Sequence, residues 1–285
     1  MDREPAARLR ERAGNPLRGP GPLLFGILNV TPDSFSDGGD YPNPETAARR
    51  AEVLLDEGAD VVDVGGESTR PGSDPVTEEE ELRRVVPVVR KILKARPETV
   101  VSVDTYRARS AEAALEAGAR IINDVTALRG DPRMARLVAD AGCPVVLMHM
   151  LGEPKTMQRE PHYEDVVREV RDFLAGRAEH AISAGVDAGN IILDPGIGFG
   201  KTLGHNLALI RHLEAIVDLG FPVLLGASRK RFIGTITGAE EAKNRVFGTV
   251  ATTVLGYERG ASLFRVHDVR ANREALAVAG SILSA

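Results

Sequence analysis

From residue 23 onward, eight short apolar runs alternate with eight longer amphipathic stretches, and little else in the 285-residue chain constrains its fold as tightly. The runs are Leu23–Val30, Val61–Val64, Val100–Val103, Arg120–Ile122, Pro144–Met148, Asn190–Leu193, Pro222–Leu225 and Leu263–Val266. They are rich in Val, Ile and Leu and apolar on both faces, as strands are when a parallel sheet is covered on both sides. The intervening stretches, Glu45–Glu57, Thr77–Lys94, Arg107–Ala117, Pro132–Asp140, Glu164–Ala184, Asn206–Leu219, Ala242–Tyr257 and Val269–Ile282, read as helices. Thr77-Glu78-Glu79-Glu80 opens one of them as a capping box, and Gly58, Gly118, Gly142 and Gly185 stand just past four others as left-handed C-caps. Eight strand–helix units predict a single (β/α)8 barrel of the TIM type, a fold of about 250 residues with its site at the C-terminal ends of the strands. A doubly wound open sheet is the competitor, but no linker or shift in composition divides the chain. The expected organisation is a polar leader over residues 1–22 and one barrel domain over residues 23–285.

Composition narrows the function classes. The chain has 36 Lys and Arg against 41 Asp and Glu, a net charge of −5, which argues against a nucleic-acid binder. Its one cysteine, Cys143, cannot close an intramolecular disulfide, which fits a reducing compartment. The charged N-terminal stretch lacks the apolar run of a signal peptide, and no apolar run reaches the roughly 18 residues of a membrane span. The expectation is a cytoplasmic protein with neither membrane nor nucleic-acid partners.

Polar residues fall at the strand ends. The eight runs lead into Asn29, Asp63, Asp104, Asn123-Asp124, His149, Asp194, Ser228-Arg229-Lys230, and Arg265 with His267. An Asp or Asn after a strand can simply cap the next helix. Capping, however, does not call for Lys, Arg and His at the remaining ends. In a closed barrel these groups converge on one face. Asp63, Asp104, Asp194, Asn123 and Lys230 suit a flat heterocycle rich in donors and acceptors, such as a 2-amino-4-oxo-pyrimidine edge, whose paired N–H groups a carboxylate can accept. Asn29, Arg265 and His267 lie at the ends of the first and last strands, neighbours in a barrel, and suit a diphosphate whose charge a divalent cation shares. Two loops, residues 31–40 and 65–73, mix Gly, Ser and Pro with charges and read as lids.

Two tempting motifs are set aside. Pro195-Gly196-Ile197-Gly198-Phe199-Gly200-Lys201-Thr202 has proline where a phosphate-binding P-loop needs its first glycine. Met148-His149-Met150 offers one histidine between two soft ligands, and none of the six histidines has zinc-ligand spacing.

As a set, the segments resemble dihydropteroate synthases. Asn29-Val30-Thr31-Pro32-Asp33-Ser34-Phe35-Ser36-Asp37-Gly38-Gly39 and Asp63-Val64-Gly65-Gly66-Glu67-Ser68-Thr69-Arg70-Pro71-Gly72 are similar to that family's two signature loops. Ser102-Val103-Asp104-Thr105, Ile122-Asn123-Asp124-Val125, Leu147-Met148-His149-Met150, residues 193–201, Gly226-Ala227-Ser228-Arg229-Lys230 and Arg265-Val266-His267-Asp268-Val269 continue the match in order. Tyr106 departs from the pattern, where smaller residues are common.

The resemblance implies a folate-pathway transferase that condenses 6-hydroxymethyl-7,8-dihydropterin diphosphate with p-aminobenzoate, releasing 7,8-dihydropteroate and pyrophosphate. It also implies a sulfonamide target and a homodimer. By carry-over, Asp63, Asp104, Asn123, Val125, Met148, Asp194, Lys230 and Arg265 would hold the pterin. Thr69, Arg70, Pro71, Phe199 and Ser228, with Lys230, would shape the p-aminobenzoate pocket. Asn29, Arg265 and His267 would take the diphosphate, with Asn29 as the protein ligand of Mg2+. Asp33 and Asp37 would belong to the first lid, and Asn29, Asp33, Lys230, Arg265 and His267 form the expected catalytic set. Two rival readings are a catalytically silent pterin-binding paralogue and a methyltetrahydrofolate–corrinoid methyltransferase. The latter has no use for a diphosphate site or for the Ser228-Arg229-Lys230 corner.

Overall fold

The computed structural model describes residues 21–31, 43–68, 75–152 and 155–285. Its eight parallel strands are β1 (Leu23–Asn29), β2 (Val61–Gly65), β3 (Val100–Asp104), β4 (Ile121–Asp124), β5 (Val145–Met148), β6 (Ile191–Asp194), β7 (Leu224–Leu225) and β8 (Leu263–Val266). They follow the order β6-β5-β4-β3-β2-β1-β8-β7, and a single bridge from Leu193 to Val223 brings the two ends of the sheet together. This is the expected (β/α)8 barrel, drawn nearly closed. Among the described residues no helix is long and apolar enough to cross a membrane.

The ten α-helices among the described residues are α1 (Pro44–Asp56), α2 (Glu78–Ala95), α3 (Ala108–Glu116), α4 (Met134–Ala141), α5 (Val166–Ser183), α6 (Leu203–Arg211), α7 (Glu214–Val217), α8 (Arg231–Thr237), α9 (Val246–Glu258) and α10 (Val269–Leu283). Gly58, Gly118, Gly142 and Gly185 have φ of +100°, +106°, +59° and +100°, as C-caps require. Half of the capping box forms: the Thr77 hydroxyl accepts from Glu80 N at 3.2 Å, while the Glu80 carboxylate pairs with Arg83 and Arg84.

Three elements differ from the sequence reading. The stretch Asn206–Leu219 is two helices, because His212 leaves helical geometry (φ −115°, ψ 37°) and the chain turns to bury Leu213 and Ile216. The helix α8 was not foreseen: Gly234 and its β-branched neighbours are poor helix formers, and burial of Phe232 and Ile233 outweighs them. Strand β7 is only two residues long, since Pro222 has no N–H for the ladder and contributes only its carbonyl, to Leu193 N at 2.9 Å.

Strand period decides what lies where. Leu24, Val62, Val101, Ile122, Val145, Leu193, Leu225 and Phe264 pack outward in the large core under the helices. Their immediate neighbours Phe25, Val61, Val100, Ile121, Val146, Ile192, Leu224 and Leu263 fill the barrel interior, together with Leu23. Successive side chains of a strand alternate faces, so any group two or four residues beyond an interior position also points into the barrel, nearer its C-terminal mouth.

Candidate active site

That rule assembles the site. Two residues past the interior layer stand Ile27, Asp63, Ser102, Asn123, Met148, Asp194, Gly226 and Arg265. Four past it stand Asn29, Gly65, Asp104, Val125, Met150, Gly196, Ser228 and His267. An apolar plug is thus capped by one polar tier and a second tier at the rim.

Arg265 organises the first tier. Its Nε donates to Asp63 Oδ2 at 2.6 Å and one terminal nitrogen donates to Asp104 Oδ2 at 2.9 Å, bridging β8 to β2 and β3. Asp63 has no exposed surface and also accepts from Asn123 Nδ2 at 3.3 Å, so it orients two site groups from beneath. Burial works against the Arg265 charge, but Asp63 and Asp104 outweigh it and hold the guanidinium above its ordinary value. Burial pushes the Asp104 carboxyl up to about 7, against the pull of Arg265 and aided by Asp63.

Across the mouth, Asp194 accepts from Gly196 N through Oδ1 at 2.7 Å, which leaves Oδ2 for a ligand. Burial raises its pKa, opposed first by Lys230. Burial pulls Lys230 down to about 8, opposed by Asp194. The Lys230 ammonium donates to the Ile197 carbonyl and stands 4.5 Å from the centroid of the Phe199 ring. Val125, Met148, Met150 and Met157 form a separate apolar cluster flanked by Tyr106 and Phe199, a polarisable wall beside the polar floor.

At the rim the Ser228 hydroxyl accepts from His267 N at 3.1 Å and contacts His267 Nδ1 at 2.9 Å. With the hydroxyl as donor to Nδ1, the neutral imidazole carries its proton on Nε2. Asn29 is half-buried on the adjoining strand, and Oδ1 sits beside Gly65, where a Cβ would stand 3.7 Å from it.

A carboxylate with a free oxygen, an amide and an ammonium can bind a planar ring edge, and an imidazole and an amide at the rim, with a guanidinium in the tier below, can bind an anion attached to that ring. A family model described as pterin binding enzyme matches residues 25–267. The dihydropteroate synthase of Neisseria meningitidis is 50% identical over 262 residues, covering 90% of this chain and 91% of its own.

The chain belongs to the dihydropteroate synthase family of pterin-binding enzymes. Among solved structures, the Xanthomonas albilineans family member with 4-aminobenzoic acid matches with a TM-score of 0.88 at 48% identity, over 93% of this chain and 94% of that one. The same organism's enzyme in complex with 7,8-dihydropteroate matches at 0.85 and 46%, over 93% and 95%.

Of the family residues expected from sequence, Asn29, Asp63, Asp104, Asn123, Val125, Met148, Asp194, Ser228, Lys230, Arg265 and His267 lie on the inward tiers or directly beside them, and Phe199 flanks the wall. Asp33, Asp37, Thr69, Arg70 and Pro71 lie outside the described residues, as does the leader through residue 20. For the Mg2+ that the family reading implies, the donor set fits one role. Among the described residues no three histidine, cysteine or carboxylate side chains gather into a metal cage. Mg2+ keeps most of its water and commonly takes few protein oxygens alongside substrate phosphates. The Asn29 amide oxygen, at the end of the strand that pairs with β8, offers one such protein oxygen.

Arg107 is a residue that the sequence reading passed over. It donates to Glu67 Oε2 at 2.8 Å, Glu81 Oε2 at 2.9 Å and the Val76 carbonyl at 2.7 Å. Tyr106 adds a hydroxyl bond to Glu67 Oε1 at 3.1 Å, which gives the family departure at that position a place in the network. The cluster ties the ends of β2 and β3 to the start of α2. No local pattern announces it, since its partners are 26 to 40 residues apart. Arg107→Ala strands Glu81, which is 1% exposed, and is expected to cost about 3 kcal/mol in urea denaturation. Arg107→Lys, with one donor head for three acceptors, should recover less than half, and full recovery would refute a fork-specific role.

Proposed function

We propose that this chain condenses 6-hydroxymethyl-7,8-dihydropterin diphosphate with p-aminobenzoate to give 7,8-dihydropteroate and pyrophosphate. The observation that carries the reading is the two-tier mouth: Asp194, Asn123 and Arg265 share the inner tier, with Lys230 beside Asp194, and Asn29 and His267 stand in the tier above them. A pterin seated on the inner tier, its 2-amino edge toward Asp194 Oδ2, presents its methylene and diphosphate to the rim.

The leaving group departs from a methylene conjugated to the dihydropterin ring, so the positive charge left by C–O cleavage delocalises into the ring. The C–O electron pair leaves with the diphosphate, and the aniline nitrogen of p-aminobenzoate then forms the C–N bond and sheds one proton. A neutral aromatic amine needs no strong base, which agrees with a site built from binding groups rather than from a nucleophile–base pair. His267 Nε2–H and Arg265 donate to the departing oxygens, and Asn29 would hold the Mg2+ that neutralises them when bound. Phe199, Ser228 and Lys230, with Thr69, Arg70 and Pro71, would receive the aromatic acid. Asp33 would complete the catalytic set from the first lid.

The test is pyrophosphate release with both substrates and Mg2+. Release that requires p-aminobenzoate and is competed by a sulfonamide supports the reading. Pterin binding without release would mark a silent paralogue, and methyl transfer from methyltetrahydrofolate would mark a corrinoid-dependent relative. Asn29→Ala is expected to lower turnover about 100-fold and to weaken the Mg2+ dependence, with unchanged pterin binding. Unaltered turnover would remove the metal role.

The proposed setting is cytoplasmic, with residues 23–285 acting as one catalytic domain. A homodimer is proposed on the outer face of α9 and α10, where Phe247, Leu255, Val278 and Ile282 are 88%, 44%, 62% and 70% exposed. Sedimentation of the full chain and of a Phe247→Glu, Ile282→Glu double variant tests it: a monomeric parent would exclude the dimer, and an undisturbed dimer would place it on another face.

A further inference from the structure

The two motifs set aside in the sequence meet in the fold. His149, just past β5, and Lys201, just before α6, are 5% and 3% exposed. Lys201 Nζ lies 2.9 Å from His149 Nδ1, and donates to the carbonyl of Phe199 at 3.0 Å and to that of His149 at 3.5 Å. Burial, then Lys230, pull Lys201 down to about 7 against Asp194; in its ammonium form it has no acceptor lone pair, so Nδ1 accepts and His149 carries its proton on Nε2. Burial, then Lys201, hold the imidazole well below its ordinary value, at about 3. A buried ammonium whose contacts are an imidazole and two carbonyls is costly to maintain, and an apolar side chain would fill the same space more cheaply.

What the ammonium holds is the loop between β6 and α6. Gly196, Gly198 and Gly200 all adopt positive φ, at +65°, +83° and +63°. A Cβ on Gly196 would stand 1.8 Å from the His149 carbonyl oxygen, so the loop lies directly on the residue that Lys201 grips. Three glycines in five residues give this segment many alternative paths, and its conformation must be imposed by bonds from outside it. Asn206 Oδ1 accepts from Gly198 N at 2.7 Å, and Tyr163 donates to Gly200 O at 2.9 Å. Lys201 supplies the bond between them, at the carbonyl of Phe199 itself. The same loop delivers the Phe199 ring and the Ile197 carbonyl to Lys230.

We propose that Lys201 is a positioning residue: through His149 it pins the β6–α6 loop to the end of β5, so that Phe199 and Lys230 present one preformed wall to the aromatic amine substrate. The proposal rests on the reading of Phe199 as part of the p-aminobenzoate pocket. It weights the two substrates unequally: Phe199 rides on this loop, whereas Asp194 and Asn123, which face the pterin, belong to strands and meet the loop only at Gly196 N, which donates to Asp194 Oδ1 at 2.7 Å.

Lys201→Met keeps an unbranched side chain one atom shorter and removes its donors. The expected result is a KM for p-aminobenzoate raised about tenfold with kcat little changed. Affinity for 6-hydroxymethyl-7,8-dihydropterin, measured calorimetrically without p-aminobenzoate, should stay within about twofold. His149→Leu, which leaves Lys201 its two carbonyl acceptors, should shift the same KM about threefold, and carries the test alone if Lys201→Met does not fold. A merely structural role would lower stability and disturb both substrates together. An unchanged p-aminobenzoate KM in folded variants, or a parallel loss of pterin affinity, would overturn the proposal. Phe199→Ala is the control: a raised KM there with none in Lys201→Met rejects the positioning role alone, and no change in Phe199→Ala rejects the pocket assignment beneath it.

Discussion

Arg265→Ala is expected to lower stability by about 3 kcal/mol at pH 8, and by clearly less at pH 5.5, while turnover falls about a thousandfold. The change leaves Asp63 and Asp104 buried side by side without the guanidinium that both now contact at 2.6 and 2.9 Å. Removing one partner from a buried ion cluster costs far more than the cluster contributes, because the remaining charge can neither reach water nor find a counter-ion. The pH dependence follows from Asp104. Its folded value is already raised to about 7 from an ordinary 3.8, so the folded protein binds more protons than the unfolded chain between those limits. The Asp104 contribution to parent stability therefore declines as pH rises through that window. Without Arg265 the raised value moves higher still, so at pH 5.5 the carboxyl is neutral and the loss is partly relieved. Arg265→Lys should rescue little, since one ammonium cannot reproduce two divergent N–H donors aimed at separate strands. Urea denaturation at the two pH values reads the result, and equal losses at both would contradict this account.

Asp194→Asn is expected to separate binding from folding. Pterin affinity should fall at least about 100-fold, while stability at pH 8 stays equal to the parent's or rises. The amide can keep Oδ1 as the acceptor for Gly196 N, which is the bond the fold uses. The second oxygen becomes an NH2 group and faces a ligand N–H with another donor, so the paired bonds to an aminopyrimidine edge are lost. Burial holds the Asp194 carboxyl above its ordinary value, so its ionisation opposes folding as pH rises; the variant lacks that component. Calorimetric titration with the pterin and denaturation between pH 5.5 and 8.5 test both halves. A variant that kept pterin affinity, or lost more than about 1 kcal/mol at pH 8, would show that the carboxylate serves the fold rather than the ligand.

Most of the site was legible because its residues obey a strand rule written in the local sequence. Asp63, Asn123, Asp194 and Arg265 each stand two positions past an interior apolar residue, and Asn29, Asp104, Ser228 and His267 four positions past one. The barrel's period turns that spacing into a common direction. The sequence reading treated the polar groups as one ring, whereas the structure divides them by depth. Asp63 lies wholly beneath Arg265, while Ser228 and His267 share a hydrogen bond at the rim. Arg107, Lys201 and His149 were missed or set aside because their roles rest on partners that adjoin them only after folding. The break at His212 and the helix α8 were missed because tertiary burial outweighed propensity there.

The sequence alone determined the alternation of eight strands and helices and the chemical kinds delivered to the strand ends, since both follow from spacings of a few residues. Only the tertiary structure decided which cation meets which carboxylate. Arg265 reaches Asp63 and Asp104 across separations of 202 and 161 residues, and Lys201 reaches His149 across 52. Such pairings are set by sheet order, register and side-chain depth, quantities that exist only once the barrel has closed.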